Sequence, residues 1–132
     1  MHITPLYAAL LALLFIYLSI RVVKARGMAK VSIGDGGNLL LQRAIAAHSN
    51  FAQYVPLSLL LMALMEMQQA PAALLHAFGL TLLVSRALHA YGVSQLKENF
   101  GFRKVSMLTT FGLMGAAALY LLGLAAYRAI CV

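Results

Sequence analysis

Residues 57–84 read LSLLLMALMEMQQAPAALLHAFGLTLLV, and this stretch decides the fold. Its two apolar runs are separated only by Gln68, Gln69, Ala70 and Pro71. Each run extends outward to the ~20 residues that a helix needs to cross a ~30 Å hydrocarbon layer. Because so short a connection joins antiparallel neighbours, the stretch predicts a hairpin of two transmembrane helices.

Four apolar segments of that length lie along the chain, at residues 3–23, 39–67, 71–96 and 105–130. Hydrophobic residues make up 63% of the sequence and charged residues 10%, whereas soluble domains contain roughly 25% charged residues. No stretch indicates a second domain, a repeat or a soluble extension. The sequence therefore predicts one domain over residues 1–132, an all-α integral membrane bundle of four helices.

Basic residues concentrate around the first and third connections. They are Arg21, Lys24, Arg26, Lys30, Arg43, Lys97, Arg103 and Lys104, and the second connection has none. Short loops rich in Lys and Arg remain in the cytoplasm. Both termini should therefore face outward, and in a bacterium the protein should lie in the cytoplasmic (inner) membrane. The net charge of +7 is explained by topology, so we predict no nucleic-acid partner.

The second helix carries a polar stripe. Arg43, Asn50 and Tyr54 stand at i, i+7 and i+11, so at about 100° per residue they share a strip roughly 40° wide. Gln53 lies beside it. Polar groups within a membrane are candidates for ligand binding, although Asn50 and Gln53 could equally form hydrogen bonds between helices.

The third helix contains Arg86 and His89 within one turn. A charge at the bilayer centre costs ~2.5 to 3.5 kcal/mol even on the lenient insertion scale, so Arg86 requires a partner or water. A structural ion pair is one interpretation. The acidic residues of the chain are Asp35, Glu66 and Glu98.

The predicted directions of the helices bring these groups to one side of the membrane. The basic pocket that results is rimmed by Arg26, Lys30, Arg43 and Arg103, with Asn50, Gln53 and Tyr54 inside it. The positive N-termini of the second and fourth helices favour an anion there. We therefore expect a small polyanionic ligand beside a lipid-facing groove, although Arg26 and Lys30 could be topology anchors or contacts to lipid headgroups.

Other kinds of chemistry find little support in the sequence. Cys131 is the single cysteine, so no cysteine metal site is possible, and we predict no metal. Phosphate loops and the HExxH and GxSxG motifs are absent. Glu66 is the one acidic residue suited to an ion path, which leaves a small transporter or channel subunit as a minor alternative. Gly112 and Ala116 allow close helix approach, within the chain or between chains.

Four segments resemble a known family in order and spacing. Residues 42–57, QRAIAAHSNFAQYVPL, resemble the second-helix signature of MAPEG proteins, the membrane-associated proteins in eicosanoid and glutathione metabolism. KARGMAKVS (24–32), SRALHAYG (85–92) and FRKVSMLT (102–109) resemble the corresponding family segments. The resemblance spans nearly the whole chain.

The resemblance implies a homotrimer that holds glutathione between adjacent subunits, with an apolar co-substrate or lipid approaching from the bilayer. It implies glutathione contacts for Arg26, Lys30, Asn50, Gln53, Tyr54 and His89, to which we add Arg43 as a positioning residue. Arg103 matches the arginine proposed to stabilise the glutathione thiolate. A guanidinium suits that role because it lowers a thiol pKa and keeps its own proton.

The resemblance thus implies a bacterial-type protein that transfers glutathione or a related thiol to a lipophilic electrophile, or reduces the electrophile with that thiol. Two departures favour an alternative. Gln53 stands where the family usually has a glutamate, and Ala46 where many of its enzymes have an arginine. The alternative is a non-catalytic protein on the same fold that binds lipid or acts as a scaffold.

Overall fold

The computed structural model describes residues 1–97 and 100–131, without the side chain of Cys131. Glu98, one of the three acids that could pair with Arg86, lies outside the described residues. The described chain forms four α-helices and no strand. They are α1 (Ile3–Ala29), α2 (Leu39–Met67), α3 (Ala72–Ser94) and α4 (Phe100–Cys131). The predicted all-α class is confirmed.

The helices alternate in direction. We call the end where α1 and α3 finish and α2 and α4 begin the basic end, and the opposite end the hairpin end. At the hairpin end the Glu66 carboxylate of α2 accepts hydrogen bonds from the backbone N–H groups of His2, Ile3 and Thr4, at 2.5, 2.8 and 2.7 Å. Arg128 of α4 donates to the Gln68 side chain there. The two chain termini therefore share the hairpin end.

The connection between α1 and α2 contains a left-handed residue, an aspartate turn and a helix cap. Lys30 ends α1 in the left-handed conformation, and its N–H bonds to the Arg26 carbonyl. The Asp35 carboxylate accepts from the Gly37 N–H at 2.8 Å. Asn38 then caps α2, because its Oδ1 accepts from the Leu41 N–H at 3.0 Å.

The middle of the bundle is formed by α2 and α3. Each of these helices contacts the other three, whereas α1 and α4 make no contact with each other in the described part of the chain. The cross-section is therefore a rhombus with α1 and α4 at its far corners. On one side of the bundle α2 forms a groove with α1 and another with α4. On the other side α3 forms a groove with α1 and another with α4.

By length and composition, α1, α3 and α4 are apolar enough to cross a membrane. Helix α2 is long enough but carries polar residues such as His48, Ser49, Asn50 and Gln53. Because α1 ends at the basic end and α3 begins at the hairpin end, α2 must cross back between them. The predicted four-helix membrane bundle is confirmed.

Two helices extend beyond their predicted apolar segments at the basic end. Helix α1 continues past residue 23 to Ala29, and α4 begins at Phe100 rather than at residue 105. Arg21 of α1 bonds to Ser94 in the last turn of α3. The eight residues of α1 that follow Arg21 extend the helix by about 12 Å toward the basic end, at 1.5 Å per residue.

Small residues act differently in α3 and α4. The buried Gly79 lies directly under the Tyr7 ring, where an added Cβ would come within 2.3 Å of the ring, so this glycine brings α1 and α3 together. An added Cβ at Gly112 or Gly115 would meet nothing within 4 Å. Of the two interpretations of Gly112, packing within the chain is not supported.

Candidate functional site

Arg86 lies at the centre of the polar cluster and is only 1% exposed. Its Nη1 donates to the Asn50 Oδ1 at 2.7 Å, and its Nη2 donates to the Ser106 carbonyl at 3.0 Å. The Met107 sulfur lies 4.0 Å from Nη1 and 3.9 Å from Nη2. A single side chain of α3 thus connects α2 and α4.

The Ser106 carbonyl is the principal acceptor of this cluster. Besides Arg86, it accepts from the Ser85 hydroxyl at 3.0 Å and from the Thr110 hydroxyl at 2.9 Å. The two hydroxyls lie 3.1 Å apart. Among the described residues no carboxylate forms an ion pair with Arg86, and its acceptors there are the neutral Asn50 amide and Ser106 carbonyl. The described acids are elsewhere, because Glu66 caps α1 and Asp35 closes a loop.

The polar stripe of α2 faces α3 and α4, as its spacing predicts. Arg43 Nη1 donates to the Val93 carbonyl near the end of α3 at 3.2 Å. Asn50 accepts from Arg86. The Tyr54 ring meets Phe111 of α4 edge to face at 5.4 Å. The three side chains therefore approach the same two neighbouring helices, each at a different level.

Gln53 does not join the stripe. Its side chain is exposed on a face of α2 that also presents Ala46 and Leu57. One residue along a helix rotates the side chain by about 100°, which turns Gln53 away from α4 when Tyr54 packs against it. Within the single chain Gln53 therefore lies outside the Arg86 cluster, and its contact with a ligand stays a prediction.

Arg103 lies in the first turn of α4 and has a more open setting than Arg86. It is half-buried, its Cζ is 5.6 Å from the centre of the Phe100 ring, and it lines a groove of about 260 Å³ with Phe100, Lys104 and Met107. The buried His89 follows Arg86 by one turn and lies within electrostatic range of Arg86 and Arg103. Arg103 is thus the arginine of this cluster that borders an open groove.

Arg26 and Lys30 occupy a different corner of the bundle. Arg26 Nη1 donates to the Gly34 carbonyl at 2.7 Å and to the Ser32 carbonyl at 3.4 Å, which closes the first loop. Lys30 is exposed at the end of α1. Because α1 does not contact α4 in the described chain, one chain does not bring these two residues to Arg103.

The α4 half of the Arg86 cluster was not predicted from the sequence. Ser106 contributes a backbone carbonyl, which no residue type reveals. The sequence did contain one signal for this half of the cluster, the spacing of Ser106 and Thr110 at i and i+4. Both residues contact Ser85 of α3. Hydroxyls at that spacing share one face of a helix.

Comparisons with known proteins agree with this architecture. The sequence profile described as the MAPEG family matches residues 4–124. The chain is 38% identical over 109 residues to the inner membrane protein YecN of Escherichia coli (strain K12), which covers 83% of this chain and 82% of YecN. YecN of E. coli O6:H1 (strain CFT073) matches with the same figures. No solved structure matches. The match over almost the whole chain and the YecN likeness show that this four-helix membrane protein belongs to the MAPEG family.

Proposed function

We propose that this MAPEG protein binds glutathione or a related thiol at the basic end of the bundle. The thiol is either transferred to a lipophilic electrophile from the bilayer or reduces that electrophile. In both reactions Arg103 stabilises the thiolate. We also propose the cytoplasmic (inner) membrane as its location, in line with the name of its E. coli relative, with the basic end in the cytoplasm.

The contrast between Arg86 and Arg103 carries this proposal. Arg86 is buried and bonded to Asn50 and Ser106, so its guanidinium is committed to holding three helices together. Arg103 borders an open groove at the basic end, where Phe100 and Met107 supply an apolar lining. A site with a cation beside an apolar groove suits a charged thiol and an apolar co-substrate together.

The chemistry follows from the properties of the guanidinium. The thiolate is the nucleophile of thiol transfer, and an adjacent arginine favours it while keeping its own proton. Arg103 lies in the first turn of α4, where the positive end of the helix adds to the same field. The thiol proton leaves to water at the basic end. In transfer, the sulfur forms a bond to the electrophilic carbon while the leaving group departs with the electrons of the bond that breaks. In reduction of a hydroperoxide, the thiolate attacks the terminal oxygen, the O–O bond breaks to release the alcohol, and a second thiol displaces water from the resulting sulfenic acid to give a disulfide.

The separation of α1 from α4 supports a site shared between subunits. Arg26 and Lys30 lie at one corner of the rhombus and Arg103 at the other, and Gln53 is exposed on a face that none of the described helices covers. An exposed amide at membrane depth is costly unless another chain or a ligand meets it. We propose a homotrimer in which α4 of one subunit meets α1 and α2 of the next.

Stopped-flow ultraviolet absorbance of the thiolate tests the proposal. Mixing the purified protein with glutathione should produce a thiolate signal, which Arg103→Ala should abolish while the oligomer remains intact. Arg128→Ala is the matched control, because it removes an arginine at the hairpin end of the same helix. No glutathione-dependent signal in the unmodified protein, together with no transferase or peroxidase turnover, would overturn the enzymatic proposal.

A second candidate function is a non-catalytic lipid-binding or scaffold protein. Two observations favour it. The Asn50 Oδ1 is already engaged by Arg86, and an apolar groove of about 280 Å³ opens between α1 and α2, where Phe15, Phe51 and Pro56 are among its lining residues. Copurified lipid in a protein that binds no thiol would support this function over the first.

A further inference from the structure

A third open groove lies between α1 and α3 at the basic end, on the α3 side of the bundle. Its volume is about 410 Å³, and its lining includes Leu14, Tyr17, Arg21, Ala87, Tyr91 and Ser94. Leu14 and Ala87 lie deepest along their helices, and Arg21 and Ser94 lie nearest the basic end. The groove therefore changes from apolar to cationic along its length.

Arg21 is held in this groove by one short contact. Its Nη1 donates to the Ser94 Oγ at 2.5 Å, and the Ser94 hydroxyl in turn donates to the Ala90 carbonyl at 2.5 Å. The Arg21 Cζ lies 6.0 Å from the centre of the Tyr17 ring. A guanidinium has five donor hydrogens, and within the described residues no carboxylate pairs with this one. The groove thus contains an oriented guanidinium whose other N–H groups can donate hydrogen bonds to a ligand.

Two tyrosines flank the cation where it meets the bilayer. Tyr17 is 56% exposed and Tyr91 is 57% exposed. Tyrosine is enriched at membrane interfaces because its ring is apolar and its hydroxyl is wet. Exposed tyrosines beside the Arg21 guanidinium are the pattern expected of a site at the level of lipid headgroups.

We propose that this groove binds one anionic phospholipid of the leaflet at the basic end. Arg21 contacts the headgroup phosphate, for which a planar guanidinium is well suited. Tyr17 and Tyr91 lie at the glycerol level, and an acyl chain follows Leu14 and Ala87. Charge complementarity selects this occupant, because the groove is cationic at one end and apolar at the other. It is distinct from the Arg103 groove, which α4 forms at the opposite corner.

Native mass spectrometry of the purified protein with added lipid tests this site. Wild type, Arg21→Gln and Lys24→Gln are each titrated with phosphatidylglycerol and with phosphatidylcholine. Lys24 is exposed, lies one turn nearer the basic end and does not line the groove, so both variants lose the same charge. Arg21→Gln should lower phosphatidylglycerol retention about tenfold, the loss of one charge-assisted contact, whereas Lys24→Gln should lower it no more than about threefold.

Two further measurements complete the test. One shows whether the groove binds a whole lipid or only a phosphate group, and the other shows whether binding needs the Arg21 charge or the Arg21–Ser94 hydrogen bond. Ser94→Ala removes the contact that holds Arg21 to α3 but keeps the cation, so it should retain phosphatidylglycerol nearly as wild type does. Inorganic phosphate in large excess should not displace the lipid, because it lacks the acyl chain. Equal retention by Arg21→Gln and Lys24→Gln, equal binding of the two lipids by wild type, or displacement by phosphate would overturn the proposal.

Discussion

The Nη1 of Arg86 and the Oδ1 of Asn50 lie 2.7 Å apart across the interface between α3 and α2. Because Arg86 is 1% exposed, a cation lies inside an apolar bundle with an amide and a backbone carbonyl as its acceptors. This bond explains why α2 can carry a polar residue at mid-bundle. It also separates a structural arginine from Arg103, the one that we propose acts on the ligand.

Removing the Asn50 amide should destabilise the bundle. Asn50→Leu leaves the Nη1 of Arg86 without its acceptor, and a buried group left unsatisfied costs about 1 to 3 kcal/mol, more when charged. The thermal unfolding midpoint in detergent, followed by circular dichroism, should fall by several degrees. Gln42→Leu is the control at an exposed amide about two turns earlier in α2 and should change the midpoint little.

Arg86→Met in the Asn50→Leu background should recover part of that loss. Replacing both partners of a buried polar pair by apolar groups is often close to neutral, whereas removing one is costly. A double variant at least as unstable as the sum of the two single variants would show that the two side chains are not coupled.

Gly79→Ala should loosen the contact between α1 and α3. The added Cβ would lie 2.3 Å from the Tyr7 ring, and overpacking of this kind costs roughly 1 to 3 kcal/mol. The same substitution at Gly27, where a Cβ meets nothing within 4 Å, should be neutral or slightly stabilising. Equal unfolding midpoints for the two variants would contradict the packing described here.

Gly112→Leu should weaken the proposed trimer without unfolding the subunit. Gly112 is exposed, and an added Cβ meets nothing within 4 Å in the described residues, so a larger side chain would extend away from the bundle, toward a neighbouring subunit. Light scattering coupled to size-exclusion chromatography should show a smaller particle. Ala77→Leu, at an exposed small residue of α3, is the matched control, and an unchanged particle in both variants would place Gly112 outside any interface.

Glu66→Gln should destabilise the start of α1 by about 1 kcal/mol. The carboxylate accepts three backbone N–H groups there and meets the positive end of the helix, whereas an amide offers one neutral acceptor. Hydrogen exchange of the first turn of α1 should quicken, and Asp35→Asn should leave it unchanged. Ion flux in liposomes that depends on Glu66 would instead revive the transporter interpretation.

The sequence predicted what depends on periodicity and on short connections. The hairpin of residues 57–84 follows from a four-residue break, and the common face of Arg43, Asn50 and Tyr54 follows from helical angles. The partner of Arg86 could not be predicted, because it is the backbone of Ser106 and depends on how α4 packs. The exposure of Gln53 and the separation of Arg26 from Arg103 likewise depend on which helices pack against each other. Helix periodicity in a single sequence does not reveal that arrangement.

Mixed oligomers test most directly the central claim that Arg103 of one subunit and Arg26 of the next hold one thiol. Arg103→Ala and Arg26→Ala subunits, co-expressed with different tags and purified through both, contain some interfaces that combine an intact α4 with an intact α1. Each variant alone should give little or no thiolate signal with glutathione, and the mixed oligomer should regain a measurable part of it. A mixed oligomer with no more thiolate signal than either variant alone would contradict a site shared between subunits. A full thiolate signal in the Arg103→Ala protein alone would contradict the role of Arg103.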